Sequence, residues 1–221
     1  MLPFRFWRGV RRFEIGVTLW RGVRTAFRGP GESRRDDAAA SEGDSNMDLR
    51  SKIKRVPEFK GVVFWDITPL LRDRHAFKQC IKDLADHFRG DDINVVVSNE
   101  ARGFIIGAPV AHELGVGFVP IRKKGKLPPN VRALSYDKEY ESDIIEIRDD
   151  GIEPGDRVLL VDDLLATGGT IKANADLVED LGGKVVGMGF LVELEYLKPR
   201  EYLGNRYRIH SLVTLKTTEE A

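Results

Sequence analysis

Apolar residues run without a break from Val158 to Val161, the pattern of a strand buried on both faces rather than one. Downstream, Ile171, Ala175, Val178 and Leu181 recur at helical spacing until Gly182-Gly183 stops the run. The same two patterns recur through much of the chain. Ala76 to Phe88 is patterned as a helix, Ile93 to Ser98 as a central strand, and a helix follows toward Leu114. Gly115 to Ile121, Lys184 to Leu194 and Tyr207 to Leu215 read as further strands, and Thr217 to Ala221 as a fraying end. Pro57 and Gly61 punctuate a short β-prone piece between Val56 and Asp66. Lys126 to Asp150 has little apolar periodicity and several turn signals, among them Pro128-Pro129-Asn130. A long unstructured connection inside a compact domain predicts an active-site lid. Strands alternating with helices predict an α/β fold, a Rossmann-like open and mainly parallel sheet flanked by helices.

Residues 1–46 break this pattern. Phe6, Val10, Phe13, Val17, Trp20, Val23 and Phe27 recur every three or four positions, with Trp7 beside them and arginines such as Arg8, Arg12, Arg21 and Arg24 between. Such a basic amphipathic stretch suits a membrane-surface helix or an organellar transit peptide. Gly29-Pro30-Gly31 and the polar run from Arg34 to Asn46 then read as a disordered linker. The favoured alternative is an extension without a folded role, with the working domain spanning residues 47–221.

A chain of 221 residues can bury one α/β core with some sequence left over. Lys plus Arg and Asp plus Glu are equal at 35 each, so no global field favours nucleic acid as a partner. The single cysteine, Cys80, cannot form an intramolecular disulfide, which fits a reducing compartment such as the cytoplasm. No stretch is apolar enough to predict stable membrane insertion.

Chemistry concentrates at the predicted strand ends. Asp162 and Asp163 follow the buried run, and desolvating two adjacent carboxylates calls for a cation or hydroxyl donors. Thr167-Gly168-Gly169-Thr170 comes next, small residues that let backbone N–H groups close around an anion where a helix begins. Gly169 stands where a Walker loop needs Lys, so that nucleotide motif is excluded. A second loop, Asn99-Glu100-Ala101-Arg102-Gly103-Phe104, follows another strand and carries an arginine suited to phosphate oxygens. A third strand delivers Arg122, Lys123, Lys124 and Lys126 to the same edge, where phosphate contact is a better reading than a solvated charge run. Together these features point to a phosphorylated sugar as ligand.

From Val158 to Thr170 the chain resembles the phosphoribosyl pyrophosphate motif of the type I phosphoribosyltransferases, in the wording of the members that use adenine. The likeness runs from about Met47 to about Thr214. It includes Asp66-Ile67-Thr68-Pro69, Glu100-Ala101-Arg102-Gly103-Phe104, Arg122 to Pro128, and Leu191-Val192-Glu193-Leu194. The resemblance implies transfer of a 5-phosphoribosyl group from phosphoribosyl pyrophosphate to adenine, with magnesium held by substrate and water rather than by a dedicated protein site. Asp162 and Asp163 would hold the ribose hydroxyls, and Ala166, Thr167, Gly168, Gly169 and Thr170 the 5′-phosphate. Glu100, Ala101, Arg102, Arg122 and Lys123 would serve the pyrophosphate side, with Glu100-Ala101 a cis peptide. The residue matching Lys126 reaches a neighbouring subunit's site, implying a homodimer. A small hood around Val63, Phe64 and Trp65 would cover adenine, with backbone groups reading its edge and Phe64 stacking. Glu139 and Tyr140, on the flexible catalytic loop, would handle the purine proton and close the site. Two departures stand out: a shortened spacing before Gly61, and Trp65 where a Lys or Arg is usual. They leave open an enzyme for 6-oxopurines. A non-catalytic sensor of phosphoribosyl pyrophosphate is the other alternative.

Overall fold

The computed structural model describes residues 48–59, 62–137 and 142–219. Residues 1–47, and with them the amphipathic extension, lie outside that description, as do Lys60, Gly61, residues 138–141 and the last two residues. The architecture is a seven-stranded sheet in the order β5-β6-β4-β3-β7-β8-β9, plus a separate two-stranded sheet β1-β2. Its centre is β3 (Val95–Asn99), parallel to β4 (Gly117–Lys123) on one side and to β7 (Arg157–Leu165) on the other. Beyond β7, β8 (Lys184–Leu194) and β9 (Ile209–Leu215) continue in parallel.

The unbroken apolar runs have a direct cause. In β3, Val96 belongs to one buried cluster while Val95 and Val97 belong to another; in β7, Leu159 and Val161 alternate with Val158 and Leu160 in the same way. The first cluster takes in α2 (Arg74–Phe88) and α3 (Arg102–Leu114), and the second takes in α4 (Gly169–Asp180). Both faces of the sheet are therefore covered, which is why Val95 to Val97 and Val158 to Val161 are apolar at every position. The lone Cys80 is a buried residue of the first cluster, its thiol pushed up to about 12 by burial. Among the described residues no helix is long and apolar enough to cross a membrane.

Several expectations need correction. Lys126 to Asp150 is not an unstructured connection: β5 (Val131–Asp137) and β6 (Ser142–Arg148) form an antiparallel hairpin, and β6 joins the sheet beside β4. The signal was the alternation of Ile145 and Ile147, both buried, which a search for longer periodic runs passes over. Gly115 opens no strand; it caps α3 in the left-handed conformation at φ 72°, and the strand starts at Gly117 and runs on to Lys123. Two short helices, α1 (Thr68–Arg72) and α5 (Pro199–Leu203), were not anticipated; each has proline in its first turn. The hood is the hairpin of β1 (Lys54–Phe59) and β2 (Val62–Asp66).

Candidate active site

The site arises where two neighbouring strands part. β3 and β7 pair in register only from Val95↔Val158 to Val97↔Leu160, after which β7 remains paired with β8 as far as Leu165↔Glu193. The carboxylates thus do not end the strand, as the apolar run suggested; β7 continues through them, held from one side only. The chain leaves β3 into α3 on one face and leaves β7 into α4 on the other. This is the point where an open parallel sheet has a crevice at its carboxyl edge. A cavity of about 270 Å³ fills it, bounded by Asn99, Glu100-Ala101, Arg102, Asp162-Asp163 and the 166–170 turn.

Asp162 and Asp163 sit side by side in this crevice. Burial, then the neighbouring charge of Asp163, pushes the Asp162 carboxyl well above the usual carboxylate range. Burial also raises Asp163, against the pull of the Arg102 guanidinium. Arg102 Nε lies 3.1 Å from Asp163 Oδ2, yet that oxygen is buried without an aligned hydrogen-bond donor. Asp162 Oδ1 accepts from the Asp163 amide at 2.9 Å. It also packs on Gly103, where a Cβ would come within 2.6 Å of it. So the α3 turn must be glycine to let the carboxylate stand where it does.

The glycine turn opens a helix, as the sequence implied. Gly168 caps α4 with φ 94°, a value that favours glycine, and Gly169 begins the helix with no side-chain cap on its free N–H groups. A Cβ on Gly168 would meet Tyr202 Cδ1 at 3.1 Å and Leu203 Cγ at 3.3 Å, so α5 is the wall behind the turn. Tyr136 of β5 comes from the opposite side, its hydroxyl 3.2 Å from Thr170 Oγ1. Sequence reasoning placed Asn99 in the second ligand loop and Tyr136 in the catalytic loop without an individual role for either, and gave α5 none. Their positions depend on pairings that no local motif records.

On the β3–β4 side, the Glu100-Ala101 peptide is cis, as the resemblance implied. The Glu100 side chain is paired with Arg122, and Lys126 Nζ lies 3.8 Å from its Oε1. Arg122 also lies over the Phe104 ring, at 5.8 Å. Lys123 turns the other way, its Nζ 3.6 Å from Asp143.

A second, more apolar cleft of about 430 Å³ adjoins the first under the hood, lined by Val56, Phe59, Phe64, Leu71, Arg102 and Ile105. Phe64 faces it with the Arg102 guanidinium 5.1 Å from its ring, so Arg102 borders both spaces. Trp65 does not present its ring to the cleft. It is only 1% exposed, with Nε1 donating to Tyr196 Oη at 3.3 Å, while its carbonyl accepts from Arg102 Nη1 at 3.5 Å. Val63 is packed against the core beneath. Glu139 and Tyr140 lie outside the described residues.

A carboxylate pair inside β7, a glycine-capped helix start and a basic cluster surround one crevice of an open α/β sheet, the layout of a sugar-phosphate-binding α/β enzyme. The Phosphoribosyl transferase domain family matches residues 70–215 of the chain. An adenine phosphoribosyltransferase of Methylococcus capsulatus is 53% identical over 167 residues, which cover 75% of this chain and 97% of the relative. The crystal structure of adenine phosphoribosyltransferase from Thermoanaerobacter pseudethanolicus matches with a TM-score of 0.73 and 47% identity, covering 76% of this chain and 98% of that one. That of the Giardia lamblia enzyme complexed with 9-deazaadenine matches with a TM-score of 0.74 and 39% identity, over 77% and 97% of the two chains. The chain belongs to the adenine phosphoribosyltransferase family.

Proposed function

We propose that the protein transfers the 5-phosphoribosyl group of phosphoribosyl pyrophosphate to adenine, releasing AMP and pyrophosphate, as a step of purine salvage. One observation carries this reading: a largely buried carboxylate pair and an uncapped helix N-terminus line the same cavity. The pair needs hydroxyl donors and the helix end needs an anion, and ribose 5-phosphate offers both. With the phosphate seated on Ala166 to Thr170, the 2′- and 3′-hydroxyls would donate to Asp162 and Asp163. Remote binding thereby becomes orientation of the anomeric carbon.

As the bond from that carbon to the pyrophosphate oxygen breaks, positive charge develops on the sugar and negative charge on the leaving group. The carboxylates favour the first, and Arg122 with Lys126 favours the second, from positions set before reaction. A ring nitrogen of adenine then closes the new bond, the base lying in the cleft between Phe64 and Arg102. Trp65 would bear on base choice through its backbone alone. A magnesium ion held by substrate oxygens and water near Asp162 and Asp163 would supply charge neutralisation. Glu139 and Tyr140 complete the proposal as proton handler and cover. So does a homodimer, which the match of Lys126 implies, and a cytoplasmic home consistent with the buried free thiol Cys80.

The test is steady-state turnover with adenine, hypoxanthine, guanine and xanthine. Adenine should be preferred by a wide margin, because a site built for its amine leaves a polar group unpaired with a 6-oxo base. Equal turnover of hypoxanthine and adenine would sink the adenine assignment.

A further inference from the structure

The Glu100 carboxylate lines the cavity among donors that come from the end of β4 and the turn after it. Arg122 Nε donates to its Oε2, Lys126 Nζ is 3.8 Å from Oε1, and the Lys123 backbone N–H faces it as well. The Glu100 side chain is only 8% exposed, whereas those of Arg122 and Lys126 are 33% and 55% exposed. A buried acid thus gathers more exposed cations around itself. Two guanidinium or ammonium charges and a backbone N–H converging on one pair of oxygens form an anion site, and here the anion is supplied by the chain.

We infer that Glu100 is an internal stand-in for pyrophosphate: it occupies Arg122 and Lys126 when the leaving-group site is empty, and gives them up when pyrophosphate or the pyrophosphoryl end of the substrate arrives. The inference rests on the proposed role of Arg122 and Lys126 at the leaving group. Its consequence runs against the usual reading of an active-site acid. Because the arriving anion must break existing charge-assisted hydrogen bonds and then sit beside a carboxylate, Glu100 weakens pyrophosphate binding. On the way out, the carboxylate recaptures the cations and helps product leave.

Glu100→Gln keeps the shape and removes the charge. It should lower the inhibition constant of pyrophosphate, measured against phosphoribosyl pyrophosphate with magnesium present, by about tenfold. The KM for phosphoribosyl pyrophosphate should fall with it, and kcat should fall because release is slower. Glu100→Asp keeps the charge but shortens its reach, and should show a smaller gain in the same direction. If both variants bind pyrophosphate more weakly than the parent, Glu100 merely orients Arg122 and the inference is overturned; unchanged binding overturns it equally. Arg122→Met separates this from the underlying reading. It should weaken pyrophosphate binding and abolish the gain from Glu100→Gln in the double variant. If Arg122→Met leaves pyrophosphate binding untouched, the leaving-group role of Arg122 fails, whatever Glu100 does.

Discussion

At the scale of single residues, the carboxylate pair shows how a site holds groups its own fold disfavours. Asp162 and Asp163 both have raised pKa values, through burial first and then, at Asp162, the neighbouring charge. For an acid whose folded pKa lies above the unfolded value of 3.8, the folded state holds the proton more tightly. Stability contributed by the pair is therefore complete below that unfolded value and declines as pH rises through the folded pKa values. Asp162→Asn with Asp163→Asn should then melt above the parent at pH 7 in the absence of ligand and magnesium, with the difference closing as pH approaches about 4. The same variant should lose on the order of 100-fold in kcat, because charge stabilisation at the sugar goes with the carboxylates. Thermal melts across pH and a steady-state assay read the two effects separately. A double variant that fails to fold would show the pair to be structural. Tyr136→Phe is a finer probe: loss of one hydroxyl contact to Thr170, worth ~1 kcal/mol, should lower kcat/KM for phosphoribosyl pyrophosphate about fivefold with little change in Tm.

At the scale of elements, the anion turn depends on what stands behind it. Glu193 of β8 is 1% exposed and accepts from Arg200 at 2.8 Å on each oxygen and from Ser211 Oγ at 2.7 Å. Burial opposes the charge, but the guanidinium and the hydroxyl together hold its pKa below the usual carboxylate range. Arg200 belongs to α5, whose Tyr202 and Leu203 back Gly168, and Glu193 pairs with Leu165 directly upstream of the turn. Arg200→Met would strand a buried carboxylate. The expected cost is about 2–3 kcal/mol, below the range for a fully buried pair because the Arg200 side chain is half exposed. Its kinetic mark should be a raised KM for phosphoribosyl pyrophosphate with the KM for adenine unchanged. Denaturant melts and the two KM values check this, and equal rises in both would argue for general loosening.

For the whole molecule, the family match spans residues 70–215 and leaves the N-terminal extension outside it. Removing residues 1–46 should therefore leave kcat/KM within about twofold and Tm nearly unchanged, given that surface changes away from packed features seldom exceed ~0.5 kcal/mol. Purified full-length and truncated protein compared side by side provide the measurement, and a large drop in Tm would show that the aromatic and basic stripe packs on the domain. Locating a tagged protein with and without the extension answers the separate question of targeting.

The sequence by itself determined whatever is written locally. Val95 to Val97 and Val158 to Val161 announce strands covered on both faces because burial excludes polar residues there, and two separate clusters now cover them. Gly168 announces the anion turn because few side chains accept φ near 94°. Where the chain meets itself over long separations, only tertiary structure decided. Trp65 turns its ring into the core toward Tyr196, 131 residues away, because a large apolar surface gains more there than at the cleft. β6 pairs with β4, Arg122 opposite Glu146, because the exposed edge beside β4 accepts a strand whose own alternation is too short to declare itself. Glu100 faces Arg122 and Lys126 because two strand ends converge, and charge then finds the nearest opposite charge. No spacing along the chain encodes that meeting.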